Sequence, residues 1–340
     1  MLVRYSCDVA GPVILLSGGT GGAKLARGLL DAVGEDLVVI ANTGDDVEAH
    51  GGYVSPDPDL VTFWLADRID ERGWGLRDDT FAVMDALRAL GDDVWFNLGD
   101  RDLALCLRRA RRLAEGARLT EALDEARRAL GVPARILPMS DDPVRTEVRA
   151  RGAWHSLQGF LIRERGRGPV DDVRLAGVEA ASPVPEALEA IAAARAIVVG
   201  PSNPVISIGP ILAVPGMREA LAEAAAAVVA VSPLVGGQVL KGPTDVFMEW
   251  AGHPLTSEGV AAHYGGLLDG LVADERADTI PTLVTSVDMP DAAGRRSVAD
   301  AVLSFSAALR TARAGAAARR ARTAPAPAAD RLPGDGGSAP

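Results

Sequence analysis

The stretch VILLSGGTGG, residues 13–22, joins a short apolar run to a turn with four glycines, and leucines recur at helical spacing after it. This order predicts a buried strand, a glycine turn and a helix. A helix N-terminus presents unpaired N–H groups and the positive end of the helix dipole, so the turn is suited to bind a phosphate or another anion. A plain tight turn is the alternative, but four glycines carry an entropic cost that such a turn does not need. The run lacks the Lys-Ser or Lys-Thr ending of the Walker loop and the full Rossmann spacing, so it does not identify the ligand by itself.

Two further polar loops follow predicted strands. The apolar runs 37–40 and 196–199 read as buried strands, and they lead into the loops 42–46 and 200–203. Ligands of open parallel sheets bind beyond the carboxyl ends of the strands, so both loops should stand beside the glycine turn. Turn chemistry in the first loop and helix capping in the second are the alternatives. The side chains concerned are Asn42, Asp45, Asp46, Ser202 and Asn203.

Two short acidic loops are predicted near the same edge. In SPDPD (55–59), prolines fix φ and hold Asp57 and Asp59 in place, although one of them could cap a helix predicted to begin near Leu60. In GDRD (99–102), an arginine between two aspartates suits a phosphate or hydroxyl beside a metal, and a capped, exposed helix N-terminus is the alternative. Clustered aspartates beside a phosphate site predict Mg²⁺-assisted chemistry on a phosphate ester.

These units predict an α/β fold, a Rossmann-like, doubly wound and mostly parallel sheet in three α/β/α layers. We expect a single domain over residues 12–310, with a helical insertion at about 60–130. A flexible tail is expected over 1–11. A disordered tail is expected over 311–340, because its Ala, Arg, Pro and Gly cannot form a packed core.

The composition limits which binding partners and which cellular location we expect. The formal net charge of −11 disfavours nucleic acid as the main partner. No apolar run reaches the length of a membrane span, and the N-terminus lacks a signal-peptide layout, so no membrane partner is expected. Cys7 and Cys106 are too few for a disulfide framework or a zinc site, so we expect a cytoplasmic protein.

Seven ordered blocks of the chain resemble those of a known family. The CofD-type 2-phospho-L-lactate transferases, which include actinobacterial phosphoenolpyruvate transferases, are similar over roughly residues 12–310. The blocks are SGGTGGAKL (17–25), NTGDD (42–46), SPDPD (55–59), GDRD (99–102), LPMSDDPV (137–144), GPSNPVISIGPILAVP (200–215) and VSP (231–233). So many blocks in one order make the resemblance specific.

The resemblance implies a transferase of coenzyme F-420 biosynthesis. Such enzymes join a phospholactyl or phosphoenolpyruvyl group, carried as a guanosine diphosphate conjugate, to a hydroxyl of the deazaflavin Fo, and GMP leaves. By the same resemblance, Mg²⁺ and N–H donors offset the charge of an in-line transition state. A homodimer is expected.

The resemblance also implies roles for individual residues. Asp45, Asp57 and Asp59 would hold Mg²⁺ or orient the attacking hydroxyl, and Arg101 would contact Fo or the transferred phosphate. We therefore expect Asp45, Asp59 and Arg101 to be catalytic. The expected substrate- or nucleotide-binding residues are Gly18, Gly19, Thr20, Gly21, Asn42, Asp102, Ser202 and Asn203.

Departures from the family pattern leave the donor open. Gly22-Ala23 stands where many archaeal relatives have Thr-Pro, and Pro58 replaces an apolar residue, so both phospholactate and phosphoenolpyruvate remain candidates. A YvcK-like nucleotide-sugar-binding regulatory protein of the same fold is the alternative function, although a pure binder has less need of both acidic loops. A dinucleotide-dependent oxidoreductase should carry an acidic residue after the second strand, where this chain has Asn42.

Overall fold

The chain folds around a seven-stranded parallel sheet in this computed structural model, which describes residues 10–323 and only the backbone of 314–323. The strands are β1 (Val13–Ser17), β2 (Leu37–Ala41), β3 (Val47–Ala49), β4 (Gly52–Val54), β5 (Arg135–Pro138), β6 (Arg145–Ala150), β7 (Ala153–Ser156), β8 (Val170–Ala176), β9 (Ala196–Val199), β10 (Val228–Val231), β11 (Leu234–Val235), β12 (Gln238–Val239), β13 (Gly270–Ala273) and β14 (Thr282–Val284). The helices are α1 (Gly19–Val33), α2 (Pro56–Leu65), α3 (Ala82–Ala89), α4 (Asp100–Ala114), α5 (Leu119–Ala129), α6 (Leu157–Ile162), α7 (Pro185–Ala192), α8 (Gly209–Ala213), α9 (Met217–Glu223), α10 (Thr244–Trp250), α11 (Ser257–His263) and α12 (Ala292–Thr323). Short 3-10 turns occupy Gly34–Asp36 and Val178–Ala180, and a π-helical turn occupies Pro204–Ile208.

The strand order confirms the predicted doubly wound sheet. The order is β14-β13-β10-β9-β1-β2-β5, and all neighbouring strands run parallel. The chain adds β2 and β5 on one side of β1, then returns to build β9, β10, β13 and β14 on the other side. The winding direction therefore reverses between β1 and β9, where Leu16 pairs with Val199. Such a switch point opens a crevice for ligands at the carboxyl ends of its two strands.

Two apolar cores on opposite faces of the sheet confirm the three layers. Ile14 and Leu16 of β1 belong to one core, and Val13 and Leu15 belong to the other. This division follows from the period of two in a strand, which sends successive side chains to opposite faces. Helices α7 and α9 contribute to the first core, and α1 and α12 contribute to the second. The central strands are therefore buried on both faces, which explains why they read as continuous apolar runs.

The segment between β4 and β5 carries the predicted helical insertion, helices α2 to α5, but its first helix starts earlier than expected. Helix α2 begins at Pro56 rather than near Leu60. Proline is favoured in the first turn because its fixed φ suits a helix and its missing N–H would have no partner there. The prediction that Asp57 and Asp59 precede the helix is therefore wrong, since both lie in its first turn.

A separate antiparallel sheet of order β7-β6-β8 packs beside the first core. The alternating pattern of 154–162 predicts a single strand there, but β7 ends at Ser156 and helix α6 follows it. The Ser156 side chain accepts a hydrogen bond from Gly159 N at 3.1 Å and so caps this helix. This cap favours a helix over the strand that the alternating pattern predicts. Strand β8 was not predicted.

The C-terminal helix extends into the segment that was predicted to be disordered. Helix α12 continues to Thr323, so the prediction of disorder from Thr311 is wrong for 311–323. Arg313 Nη1 donates to Asp269 at 2.8 Å and lies 3.4 Å from Ala226 O, which ties this helix to the sheet. The rest of the predicted tail, 324–340, lies outside the described residues, as do 1–9 of the predicted N-terminal tail.

Over residues 10–323, no single helix combines the length and hydropathy of a membrane span, and one bent pair, Pro204–Ala213 with Met217–Glu223, meets that criterion only when both helices are taken together.

Candidate functional site

The glycine loop lies at the switch point and packs against the loop that follows β9. A Cβ atom on Gly21 would lie 2.0 Å from Pro201 O, and one on Gly22 would lie 2.3 Å from Ser17 Oγ. Ser202 joins the two loops, because its Oγ donates to Gly18 O and lies 3.3 Å from Gly18 N. Close packing of the two loops is therefore one reason why glycine occupies positions 21 and 22. The same packing leaves the N-terminus of α1 at the crevice, where it can bind an anion.

Asn42 is a buried connector between two aspartates. Its Nδ2 donates to Asp57 Oδ2 at 2.9 Å and lies 3.3 Å from Asp45 Oδ1, and its Oδ1 accepts from Gly44 N at 2.8 Å. Asp57 Oδ1 also accepts from Gly19 N at 2.5 Å, which ties the acidic turn to the glycine loop. The predicted meeting of these loops is thus realised, with Asn42 behind the two carboxylates.

Asp45 and Asp57 form a pair of buried carboxylates without an arginine or lysine partner in residues 10–313. Burial raises the pKa of Asp57 to about 6. Burial, followed by the charges of Asp57 and Asp46, raises the pKa of Asp45 well above its usual value. Gln158 Nε2 donates to Asp45 at 2.8 Å, but a neutral amide does not balance the charge. Two hard oxygen donors with uncompensated charge fit Mg²⁺.

Asp59 is held apart from this pair by a buried arginine. Both of its oxygens accept from Arg109, with Nη1 at 3.0 Å from Oδ2, and the Arg109 side chain is 1% exposed. Arg109 Nη1 also donates to Tyr53 O at 2.9 Å. Asp59 lines the same cavity as Asp45 and Asp57, but among the described residues these three do not form a group with ligand atoms within 4.8 Å of one another, so the expected three-aspartate set is not assembled. Arg109 sits within a leucine-spaced helix and gave no signal in the sequence.

Asp59, Asp102 and Cys106 are the one cluster of three metal-ligand side chains found in the described part of the chain, with ligand atoms within 4.8 Å of one another. Burial, then the charge of Asp59, raises the pKa of Asp102 to about 7. Burial likewise raises the pKa of the Cys106 thiol, and its Sγ lies 3.9 Å from Asp102 Oδ1. A protonated thiol and the Arg109 charge do not suit Mg²⁺, so this cluster fits a structural network better than a metal site.

Arg101 is not brought to the crevice. Its side chain is exposed and lines a separate shallow depression with Asp67, Arg68, Leu76, Arg77 and Asp78. Asp100 accepts from Ala82 N and Val83 N, and Asp79 accepts from Arg101 N at 2.9 Å. The 99–102 loop thus forms a helix N-terminus, which is the alternative reading of that motif. The expectation that Arg101 contacts a substrate is not supported by its position.

A cavity of about 840 Å³ opens over the crevice. It collects ten of the twelve expected site residues, and Asn42 and Arg101 are the two that do not line it. Those that line it are Gly18, Gly19, Thr20, Gly21, Asp45, Asp57, Asp59, Asp102, Ser202 and Asn203. Asn203 Oδ1 caps the π-helical turn at 2.9 Å from Val205 N, while its buried Nδ2 has no partner in residues 10–323. Asn203 can therefore cap the turn through Oδ1 and still offer Nδ2 to a ligand.

Other cavity residues were not predicted. The helical insertion contributes four aromatic side chains, although aromatic residues make up only 4% of the chain. Two of the five tryptophans are among them, and this concentration in the loops of one insertion is the signal that could have found them. The aromatic residues are Phe63, Trp74, Trp95 and Phe96. Polar residues that line the cavity without having been predicted include Lys24, Gln158, Ser207, Ser232, Lys241 and Asp288.

Comparisons with known proteins agree on one family. The family model described as 2-phospho-L-lactate transferase CofD matches residues 13–293. A 2-phospho-L-lactate transferase from Methanosarcina mazei is 42% identical over 267 residues, which cover 78% of this chain and 87% of the relative. A phosphoenolpyruvate transferase from Streptomyces griseus subsp. griseus is 42% identical over 311 residues, which cover 84% of this chain and 97% of the relative. Equal identity to both does not separate the two donors.

A solved structure gives the same fold at low identity. The crystal structure of a UPF0052 family member from Bacillus halodurans matches with a TM-score of 0.58 and 18% identity. The match covers 86% of this chain and 100% of that chain. At this identity the likeness concerns the fold alone.

Proposed function

Because this chain belongs to the 2-phospho-L-lactate transferase CofD family, we propose that it transfers a phospholactyl or phosphoenolpyruvyl group to the deazaflavin Fo in coenzyme F-420 biosynthesis. The donor is the guanosine diphosphate conjugate, and GMP leaves. One observation carries the proposal: a helix N-terminus and a pair of unbalanced buried carboxylates face the same large cavity. Phosphate esters and their metal ions need both features.

The reaction forms one oxygen–phosphorus bond and breaks another. A hydroxyl oxygen of Fo attacks the phosphorus farther from guanosine, and the oxygen that links the two phosphates leaves with GMP. The N–H groups at the start of α1 would offset charge on the phosphoryl oxygens. Asp45 and Asp57 would hold Mg²⁺, which supplies further charge stabilisation when bound.

The attacking hydroxyl must also lose a proton. Asp102 lines the cavity, and an acid whose pKa is raised to about 7 is well matched to accept a proton near neutral pH. Asp59 is less suited to this step because Arg109 engages both of its oxygens. The role of Asp59 is then to fix the wall beside Asp102.

The aromatic side chains of the insertion suit the flat ring system of Fo. Trp74 is 42% exposed at the cavity, while Phe63 is buried at its wall. Stacking on such rings stabilises a planar ligand with little loss of side-chain entropy. We propose that Fo enters on this side and the nucleotide on the side of the glycine loop.

Incubation with Fo, Mg²⁺ and each guanylylated donor in turn, with mass detection of the products, tests the function. We expect a deazaflavin product enlarged by the phospholactyl or phosphoenolpyruvyl group of the donor, together with GMP, and no product in excess chelator. Robust turnover with chelator, or release of GDP, would refute the mechanism. Nucleotide binding without transfer would instead favour the YvcK-like binding role. The homodimer and the cytoplasmic location stay predictions, and equilibrium sedimentation tests the first.

A further inference from the structure

The chain has only two lysines, and both line the cavity. Lys24 and Lys241 stand 217 positions apart in sequence, whereas the other 33 basic residues are arginines. All the ion pairs found in the described part of the chain use arginine as the cation. Lysine is thus absent from surface pairing and occurs only at the site.

Lys24 reaches toward the glycine loop from α1. It lies in the second turn of this helix, where side chains tilt toward the helix N-terminus. Its Nζ donates to Met289 O at 3.1 Å, and the side chain is partly buried. An ammonium has three N–H donors, so two remain for a ligand. This lysine lines the same cavity as Gly19, Thr20 and Gly21, whose position in the first turn of α1 favours phosphate.

Lys241 approaches the same space from the segment between β12 and α10. Its side chain is exposed at the cavity, and its Nζ lies 3.5 Å from Arg72 O. A Cβ atom on Gly73 would lie 2.7 Å from this Nζ, so the glycine makes room for the ammonium. The Lys241 segment therefore meets the helical insertion across the cavity.

The two ammonium groups repel each other. Burial lowers the pKa of Lys24, and the charge of Lys241 lowers it further. The charge of Asp288 raises this pKa, and the charge of Arg295 lowers it. Of the described residues that line the cavity, these lysines are the cationic ones, while its carboxylates include Asp45 and Asp57. A bound oxyanion would relieve the repulsion between the lysines.

We propose that Lys24 and Lys241 together bind a phosphate oxyanion of the nucleotide donor at the N-terminus of α1. The inference rests on the proposed function for the identity of the donor. Lysine suits this position better than arginine, because a compact ammonium can turn its three donors toward a tetrahedral phosphate without the planar constraint of a guanidinium. The two lysines then balance the negative charge of the phosphate, which the carboxylates on the other side of the cavity cannot do.

The scarcity of lysine makes a direct test possible. Protein grown with ¹³C-ε-lysine should give two side-chain signals in a heteronuclear NMR spectrum, and Lys24→Gln and Lys241→Gln assign them. With Mg²⁺ present, we expect GDP to shift both signals and guanosine to shift neither. GDP that binds by calorimetry without moving both signals, or fails to bind at all, would overturn the inference.

Matched variants test the contribution to affinity. We expect Lys24→Gln and Lys241→Gln each to weaken GDP binding about tenfold or more, with guanosine binding unchanged, while Lys24→Arg and Lys241→Arg retain part of the affinity. Arg276→Gln removes the same charge from a side chain that is 78% exposed and should leave GDP binding unchanged. Equal losses in the Arg276 variant would show a general charge effect and overturn the inference.

The two proposals fail separately. If Fo is not modified but GDP shifts both lysine signals, the proposed function is wrong and the phosphate site stands. If transfer proceeds and GDP binds without involving either lysine, the site is wrong and the function stands.

Discussion

At the scale of single residues, the charges of the site fall into two groups with different consequences. Asp59 has a buried cationic partner in Arg109, whereas Asp45 and Asp57 face each other without one. Removing a charge from a balanced pair leaves its partner unsolvated, but removing a charge from an unbalanced pair relieves repulsion. Two substitutions of the same chemical type should therefore have opposite effects on stability.

Asp59→Asn should destabilise the protein by about 3–5 kcal/mol, because Arg109 would lose the carboxylate that accepts from both of its Nη atoms, and only the more weakly coupled Asp102 and Asp46 would remain. Urea denaturation measures this loss. The double variant with Arg109→Met should recover part of the stability, since no lone charge remains. An unchanged denaturation midpoint in Asp59→Asn would contradict the buried ion pair.

Asp45→Asn should leave stability unchanged or raise it, because it removes one of two neighbouring buried charges and Gln158 can rotate its amide to accept from the new side chain. Transfer to Fo should fall about a hundredfold or more, since an amide cannot replace a carboxylate charge at Mg²⁺. Thermal melting and steady-state turnover measure the two effects. Near-normal turnover at low Mg²⁺ would remove Asp45 from the metal site.

At the scale of elements, helix α4 shows how one motif supplies both site and surface. Asp102 points to the cavity from the first turn, while Arg101 beside it is exposed. Successive helical residues are about 100° apart, so neighbours in sequence cannot share a narrow face. The charged motif therefore divides between two sides of the helix.

Arg101→Gln should keep transfer within about threefold of the unsubstituted protein, because an exposed side chain outside the cavity contributes little. Measurements of kcat and KM for both substrates test this. The conservative Arg101→Lys serves as the control for charge. A tenfold or larger loss in Arg101→Gln, rescued by lysine, would return Arg101 to the catalytic machinery.

The end of helix α12 separates two truncations. Ending the chain after Thr323 should leave the melting temperature and the activity unchanged, because the composition of 324–340 cannot form a packed core. Ending it after Arg310 also removes the Arg313–Asp269 pair, whose partly exposed side chains limit the expected cost to about 1 kcal/mol. Denaturation midpoints compare the two. A loss of several kcal/mol on the longer truncation would show that the end of α12 docks more firmly.

At the scale of the whole molecule, stability should depend on pH through a half-buried histidine, His263. Burial, then the neighbouring His253, lowers the pKa of His263 below its usual value of 6.5. As pH falls below about 6.5, the unfolded chain takes up a proton at this site before the folded chain does, so stability is lost. Asp46 and Asp102 act in the opposite direction, because their pKa values are raised to about 7.

The contribution of His263 can be isolated by comparison with His263→Gln. The difference in unfolding free energy between the two proteins should be constant above pH 7.5 and should change in favour of the variant between pH 7 and 5.5. Urea denaturation at several pH values measures it. A difference that does not change with pH would show that His263 titrates normally.

The sequence alone determined the repeated units and the edge of the sheet where they meet. Apolar run, polar turn and helix are local patterns, and parallel winding brings the turns after β1, β2 and β9 to one edge. Seven of the ten expected residues that line the cavity lie in these turns, and the other three, Asp57, Asp59 and Asp102, lie in the first turns of α2 and α4. Only the tertiary structure decided the partners across the chain. Arg109 lies 50 positions from Asp59, and the two lysines lie 217 positions apart. Such contacts depend on how the insertion packs against the sheet, which local periodicity does not encode. For the same reason, the sequence could not show that Arg101 lies outside the cavity, because this depends on the orientation of α4.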